Sequence, residues 1–340
     1  MVGLNLDFGK RGGAATSGPI LSAVATLEST IDAYRTVTER CGLIDRSERG
    51  KLALRGSEAR SFLQGQVTND VEALAPGAGC YAAFLTPKGK MLGDLRILDA
   101  GDELLLDTER VSLQELFNMV RRFSVGYQVE LHKRTLERGL LSLIGPAAPA
   151  IAGCERLPGA EHAHAPCEVA GISARAIRTE LGIDLLCEAA DLDPLRAALE
   201  SRGAVRVPDT VVECLRVERG RPRYGVDLDE TVIPQEAGLN ERAVSFTKGC
   251  YVGQETVARL YYRGKPNRNL RGLALSSPAR TGDEITFGGR PVGTLGSVAL
   301  SPERGPIALA LVRREAPPGA AVSVGPDAVA GEIVELPFSR

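Results

Sequence analysis

The sequence predicts an α+β fold that is followed by a small all-β domain at the C-terminal end. Between residues 51 and 122, short strands of alternating polarity are interleaved with amphipathic helices, and residues 140–202 repeat this alternation. Alternation of strands with packed helices is typical of α+β architectures. Beyond residue 266, glycines and prolines separate short alternating strands without a helical period, which indicates a barrel-like domain. The length of 340 residues is enough for two or three domains.

Local signals predict the elements of a first unit. Residues 1–30 are rich in Gly, Ala and Ser, and we expect partial disorder at their start, followed by a helix that runs through Tyr34. Ser57 is typical of an N-cap, here for a helix whose shared face is formed by Phe62, Leu63, Gln66 and Val67. Strands are predicted at 51–55, 81–85, 92–98 and 103–107, with a hairpin turn at 87–89 and a helix at 112–122.

A second unit of the same kind is predicted from residue 140 onward. Strands are expected at 140–143, 169–178 and 183–187, with an irregular, proline-rich connection at 145–167. A helix starts at Asp193 and Pro194 and stops at Gly203, because proline suits the first turn and glycine suits the position just past the end. A helix over 211–218, a short strand at 244–246 and a helix at 255–262 complete this unit.

Composition excludes several classes of function. The net charge of -2 provides no general attraction for nucleic acid, and the chain has no tryptophan. The seven cysteines are scattered without a CxxC pair, which favours a reducing compartment over a disulfide framework or a zinc ribbon. No run approaches the ~18 apolar residues of a membrane span. A weak signal-like pattern before residue 28 is interrupted by Ser22 and Thr26, so we expect a cytoplasmic protein.

The segment KGCYVGQE, residues 248–255, is the strongest candidate for chemistry. It places Cys250 in a glycine-flanked turn shortly before a predicted helix, with Lys248 two positions earlier. Helix N-termini and neighbouring lysines favour the thiolate, which is the reactive form of cysteine. The alternative is a small buried thiol in a tight turn, where Gly249 and Gly253 serve only the backbone geometry.

Glu218 is the second candidate, because it is a carboxylate on an apolar helix face. Val211, Cys214, Leu215 and Glu218 are spaced i, i+3, i+4 and i+7. A buried carboxylate needs a partner. Periodicity alone favours one of the neighbouring arginines as that partner, and a bound ligand that presents two N–H donors is the alternative.

Two weaker patterns leave their function open. Residues 256–282 contain two tyrosines and six cations but no acidic residue, so this stretch either binds an anion or RNA or is a solvated connector. The cations are Arg259, Arg263, Lys265, Arg268, Arg271 and Arg280. The spacing of His162, His164 and Cys167 could provide two ligands in a loop, whereas a metal site needs three or four, and we expect none.

Several blocks, in order along the chain, resemble the YgfZ family, folate-binding proteins related to the T-protein (aminomethyltransferase) of the glycine cleavage system. The blocks are KGCYVGQE, GLIDRS at 42–47, FLQGQVTND at 62–70, TPKGKM at 86–91, RVERG at 216–220, IPQEAGL at 233–239 and IALALV at 307–312. The resemblance implies two ferredoxin-like units and a C-terminal β-barrel around a central channel. The first unit would be discontinuous, with residues 1–48 and 137–265, the second would span 49–136, and the barrel 266–340.

This resemblance implies a tetrahydrofolate-binding accessory factor for iron–sulfur proteins, including radical enzymes that modify tRNA. Tetrahydrofolate or a derivative would be the cofactor, iron–sulfur clients and tRNA or tRNA-modifying enzymes the partners, and the protein a monomer. Cys250 would be the reactive thiol, assisted by Lys248, and Glu218 would hold the pterin ring. Further folate contacts are expected at Arg216, Tyr251, Gln254 and Arg259.

The alternative is a folate-dependent aminomethyl- or methyltransferase. Related aminomethyltransferases carry two adjacent aspartates where this chain has Gly93 and Asp94. The resemblance therefore implies that Asp94 is near the ligand, whereas the missing partner argues against aminomethyl transfer.

Overall fold

The computed structural model describes residues 19–338 of the protein, with side chains from residue 29 onward. Within these residues the chain forms a six-stranded sheet, a five-stranded sheet and a closed six-stranded barrel. The predicted α+β fold with a C-terminal barrel is thus confirmed. The expectations for residues 1–18 lie outside the described residues. None of the described helices is both long and apolar enough to cross a membrane.

The elements are numbered in chain order. The first half contains α1 (Pro19–Glu39), β1 (Gly42–Asp45), β2 (Gly50–Arg55), α2 (Ala59–Gln64), β3 (Gly79–Leu85), β4 (Met91–Asp99), β5 (Glu103–Thr108), α3 (Leu113–Phe123), β6 (Glu130–Lys133), β7 (Arg138–Ile144) and α4 (Ala148–Ala152). The middle contains β8 (His164–Val169), β9 (Ile172–Arg178), β10 (Gly182–Glu188), α5 (Leu192–Ser201), β11 (Val205–Arg206), α6 (Asp209–Glu218), α7 (Asn240–Ala243) and α8 (Gln254–Arg263). The barrel strands are β12 (Arg268–Leu275), β13 (Glu284–Phe287), β14 (Arg290–Ser301), β15 (Gly305–Arg313), β16 (Ala321–Val324) and β17 (Val329–Val334).

The six-stranded sheet, called the first sheet, has the order β11-β1-β7-β10-β9-β8. Its pairs are antiparallel except for the parallel pair of β1 and β11. One face packs on α4 and α5 through a core that includes Leu143, Ile183 and Leu195. Because side chains alternate along a strand, Ser142 and Asp184, which pair across β7 and β10, point to the opposite face.

The five-stranded sheet, called the second sheet, is antiparallel with the order β3-β4-β5-β2-β6. Its apolar face packs on α2 and α3, with Phe62, Phe84 and Leu95 in the core. The other face is polar, because Arg96 is paired with Tyr81 on β3 and Asp107 on β5. The polar faces of the two sheets meet, since Arg96 donates a 2.7 Å hydrogen bond to Asp184.

The region between α6 and α8 departs from the predicted elements. Residues 244–246 form no strand, and the one-turn helix α7 ends directly before them. Val244 is instead buried in a core cluster, and the Ser245 amide donates to the Thr68 carbonyl at 2.9 Å. The apolar residues of this segment therefore indicate a buried loop and not a strand. The predicted helix at 255–262 is confirmed as α8.

Candidate ligand-binding site

A cavity of about 230 Å³ lies between the polar faces of the two sheets and is called the pocket below. Strands of both sheets, the segment before β8 and the turn between β9 and β10 form its wall. The charged residues of the wall are Arg46, Arg49, Arg96, Arg242, Asp107, Glu161, Glu180 and Asp184. Cations and carboxylates thus face each other across a small space.

Asp107 and Asp184 are the buried carboxylates of the pocket, and their hydrogen bonding differs. Asp107 accepts from Arg49 at 2.7 Å and from Arg96 at 2.5 Å. Burial alone would raise the pKa of Asp107, yet these two arginines lower it to about 2. Asp184 accepts one bond from Arg96 at 2.7 Å and one from Ser142 at 2.6 Å. A carboxylate has about four acceptor sites, so Asp184 retains free ones.

Asp94 lies beside the pocket on the polar face of β4, only 5% exposed. Burial raises its pKa to about 6, although a hydrogen bond from Tyr81, which lines the pocket, lowers it. Gly93 points to the opposite face, where an added Cβ would meet the Phe84 ring at 2.6 Å and Ser112 at 2.7 Å. A carboxylate at Gly93 would therefore not enter the pocket, and its absence is no argument against aminomethyl transfer. This corrects the reasoning from sequence.

The structure does not bring Glu218 into the pocket. The predicted helix stripe is correct, because Val211, Cys214 and Leu215 are all buried. The stripe faces α1 and the barrel, however. There Glu218 accepts from Tyr34 at 3.0 Å and from Ser301 at 2.5 Å. Two hydroxyl groups satisfy this carboxylate, and it does not line the pocket, so the prediction that it holds a pterin ring is left without a geometric basis.

Arg216 has a structural position next to the barrel. It donates to Glu213 at 2.9 Å, to Asp227 at 2.9 Å and to the Ser297 hydroxyl at 2.5 Å. Asp227 in turn accepts from the Ser297 amide at 2.7 Å. These bonds join α6 to β14, and Arg216 does not line the pocket.

Lys248 anchors the KGCYVGQE segment to the end of α2 and the loop that leads from it to β3. Its ammonium donates to the carbonyls of Gln64 at 2.5 Å, Val67 at 2.8 Å and Asn69 at 2.8 Å. Burial lowers the pKa of Lys248 to about 8, while Asp70 and Cys80 act to raise it. The ammonium is thus engaged with this loop, and the sequence argument that it activates Cys250 is not supported by these contacts.

Cys250 is the one exposed cysteine of the seven, all of which lie in the described part of the chain. α8 begins four residues later, at Gln254, with Gly253 as its N-cap at φ 86°. A helix dipole acts mainly within its first turn, so it adds little at Cys250. An added Cβ on Gly249 would meet nothing within 4 Å. Accessibility therefore distinguishes this thiol from the other six.

The remaining predicted contacts are dispersed. Tyr251 is buried in a core cluster, and burial raises its pKa to about 12. Gln254 is half-buried at the start of α8, whereas Arg259 is exposed on that helix. None of these residues lines the pocket.

The basic stretch divides into paired and unpaired cations. Arg268 pairs with Glu236, and Arg271 pairs with Glu335 at 3.1 Å. Within residues 29–338, the other cations of the stretch make no ion pair, and they are Arg259, Arg263, Lys265 and Arg280. The stretch is thus partly a connector to the barrel and partly an exposed basic surface.

The two histidines singled out by sequence have different environments. His164 contacts the Ala78 carbonyl at 3.1 Å and Arg175 at 2.9 Å through its two ring nitrogens. His162 lines the pocket. Among the described residues, no group of three or more potential ligands could hold a metal ion.

Sequence reasoning missed most of the pocket wall, including Tyr81, Arg96 and Asp184. The signal that could have found them is the spacing of polar residues within apolar strands. Asp94 and Arg96 alternate with Leu95 and Ile97 on β4, so one face of a buried strand carries charge. Buried charges of this kind require partners from elsewhere in the fold.

Comparison with known proteins agrees with this architecture. Residues 23–248 match the family model described as the GCVT N-terminal domain. The chain is 31% identical over 319 residues to an aminomethyltransferase of Rubrobacter xylanophilus, covering 90% of this chain and 85% of the relative. A candidate chloroplastic transferase of Arabidopsis thaliana is 27% identical over 338 residues, covering 96% of this chain and 77% of that protein.

A solved structure also shares the fold. The crystal structure of glycine cleavage system aminomethyltransferase T from Bartonella henselae matches with a TM-score of 0.81 at 23% identity, covering 91% of this chain and 89% of that one. This confirms the predicted T-protein-like architecture. Since the family model spans more than half of the sequence, the chain belongs to the family defined by the GCVT N-terminal domain.

Proposed function

We propose that this protein binds tetrahydrofolate or a derivative in the pocket and, as a member of the YgfZ branch, supports iron–sulfur proteins. The observation that carries the folate proposal is the buried carboxylate of Asp184, which faces the pocket with free acceptor sites. A pterin ring presents two parallel N–H donors, which match a carboxylate. The aminomethyltransferase relatives are consistent with this ligand class.

The wall residues fit such a ligand in other ways. Arg96 Nε is buried and has no hydrogen-bond partner within the described chain, so a bound group can satisfy it. The Arg242 guanidinium lies 5.1 Å from the centre of the Tyr81 ring, which makes a flat platform with a positive edge. Ligand pockets commonly enclose about 300–1,000 Å³. At about 230 Å³ this cavity is smaller than that range, so it would enclose the ring system alone. The remainder of the ligand would be directed outward.

The chain's own residues would bind and orient the folate. Asp184 would accept the donors of the ring, and Arg96 would hold that carboxylate in position through its 2.7 Å hydrogen bond. Asp94 and Tyr81 form a hydrogen-bonded pair next to the ligand space, where a proton can be held or released near pH 6. The ligand itself supplies one-carbon chemistry when it is bound.

The accessory role is supported by the exposed Cys250. The loop that carries this thiol is anchored by Lys248 and by contact between Gly253 and the turn between β3 and β4. A rigidly anchored loop that presents an accessible thiol suits contact with a client protein. Its test is complementation of a strain lacking the gene, with support for iron–sulfur enzymes expected to be lost in Cys250→Ser but kept in Cys41→Ser. Full complementation by Cys250→Ser would contradict the role.

A second candidate function, a folate-dependent aminomethyl- or methyltransferase, is favoured by Asp94. A buried carboxyl group with a pKa of about 6 is suited to general acid–base work. Turnover of an aminomethylated carrier protein at ordinary enzyme rates, abolished in Asp94→Asn, would select this function. Folate binding without turnover would select the accessory role.

The folate proposal is tested by calorimetry with tetrahydrofolate. Removing a charge-assisted contact costs about 1.5–3 kcal/mol, so we expect Asp184→Asn to bind roughly ten- to a hundredfold more weakly. Glu218→Gln is the matched control, because it neutralises a carboxylate outside the pocket, and it should bind as the wild type does. Weakening by the Glu218 variant alone would restore the sequence prediction. Absence of wild-type binding would refute the proposal.

A further inference from the structure

His162 has an unusual backbone conformation in the pocket wall. Its φ is 70°, and the other non-glycine residues with positive φ in the described chain are Ala170 and Ala328. Ala170 and Ala328 lie in tight turns between β8 and β9 and between β16 and β17. His162 lies in a β-turn as well, because the Ala163 amide donates to the Ala160 carbonyl at 3.0 Å. Turn geometry accounts for its positive φ and fixes its backbone beside the pocket.

The surrounding contacts hold His162 in this conformation. Its amide donates to the Arg178 carbonyl at 2.9 Å. Its Cβ lies over Gly79 of β3, where an added Cβ would be 3.0 Å away. The ring is therefore placed between β3 of the second sheet and β9 of the first sheet, where the two polar faces meet.

The imidazole of His162 lacks the partners that a buried polar ring needs. The residue is only 9% exposed, and among the residues that the structure describes its buried Nδ1 has no hydrogen-bond partner. Nε2 is 3.8 Å from Glu161 Oε1, which is beyond hydrogen-bond distance. His164, two residues later, makes contacts through both ring nitrogens. One histidine of the pair is thus satisfied by the protein, and the other is not.

The ring of His162 is neutral at physiological pH. Burial, together with the charges of Arg96 and Arg242, lowers its pKa to about 3, although Asp107 acts to raise it. A neutral imidazole carries one N–H donor and one acceptor lone pair. It can therefore hydrogen-bond a heterocycle with donors and acceptors along its edge, without adding charge to the pocket.

We infer that His162 is a specificity-determining residue of the pocket, whose imidazole hydrogen-bonds the pterin ring system of a bound folate. The inference rests on the proposed function, because it names the same ligand class. It adds a second contact to that of the acidic group, since His162 belongs to the segment before β8 and Asp184 to β10. A ring that two separate residues contact is recognised by its pattern of donors and acceptors.

The test combines a variant with a spectroscopic measurement that needs no variant. His162→Asn removes the ring and keeps a residue that tolerates positive φ. We expect the Kd for tetrahydrofolate, measured by calorimetry, to rise roughly tenfold. Ala170→Gly is the matched control for a change at a residue with positive φ away from the pocket, and its Kd should equal that of the wild type.

The chain contains three histidines, so their ring signals can be followed by NMR in the wild-type protein. Tetrahydrofolate should shift the ring signals of His162 and leave those of His132, on β6, in place. An unchanged Kd for His162→Asn together with unmoved His162 signals would overturn the inference while the proposed function stands. Equal weakening by Ala170→Gly would also overturn it. If the wild type fails to bind tetrahydrofolate, the proposed function fails first and the inference fails with it.

Discussion

Replacing Asp94 by asparagine is expected to stabilise the protein at neutral pH. Burial raises the pKa of Asp94 from 3.8 to about 6, against the lowering effect of the Tyr81 hydrogen bond. Between these two values the folded protein binds more protons at this group than the unfolded chain does. The stability that protonated Asp94 contributes is thus fully present below the unfolded pKa and is lost as the pH rises through about 6. Asparagine resembles the protonated carboxyl group, so the variant retains this stability at high pH.

The pKa change sets the magnitude of this effect. A rise from 3.8 to about 6 corresponds to about 3 kcal/mol, at about 1.4 kcal/mol for each pKa unit. Asparagine can still accept the Tyr81 hydrogen bond, so little is lost elsewhere. We therefore expect Asp94→Asn to raise the free energy of unfolding by about 1–3 kcal/mol at pH 8 and to have no effect near pH 4.

Thermal unfolding between pH 4 and pH 8 measures this difference. Asp107→Asn is the matched control on the same sheet face. Burial would raise the pKa of Asp107, yet Arg49 and Arg96 lower it to about 2, so its neutralisation should lower the midpoint at pH 8. Equal midpoints for the wild type and Asp94→Asn at pH 8, or a lower one for the variant, would refute the account of Asp94 as a buried, ionised group.

Three further predictions concern the KGCYVGQE segment. Gly253→Ala should destabilise the protein by more than about 2 kcal/mol, because φ is 86° and an added Cβ would lie 2.6 Å from the Thr86 carbonyl. Gly249→Ala is the control and should be neutral, because an added Cβ there meets nothing within 4 Å. Equal thermal midpoints for the two variants would contradict this prediction. Lys248→Met should lower the free energy of unfolding, measured in urea, by about 2–4 kcal/mol, because three carbonyls lose their donor. A smaller decrease would mean that water replaces the ammonium. Cys250 should be alkylated faster than any other cysteine in the native protein, as mass spectrometry would detect, and equal rates for buried cysteines would refute its accessibility.

The sequence by itself determined the fold class, the order of most elements and the apolar faces of the helices. These features depend on local periodicity, which is 3.6 residues in a helix and two in a strand, so they can be read within a short window. The predicted stripe on α6 and the predicted helix α8 are correct for this reason. The predicted strand at 244–246 is wrong, because a short apolar run reports burial but not the presence of a neighbouring strand.

Only the tertiary structure decided which polar residues meet. The pocket depends on Arg96 and Asp184, which are 88 positions apart and belong to different sheets. Periodicity placed Glu218 on the apolar face of its helix, yet whether that face meets a cavity or the barrel depends on packing between distant elements. Lys248 and Cys250 are close in sequence, but the four-carbon side chain takes the ammonium to the carbonyls of another loop. Local pattern fixes the direction of a side chain relative to its own element, whereas its partner is set by how the elements pack together.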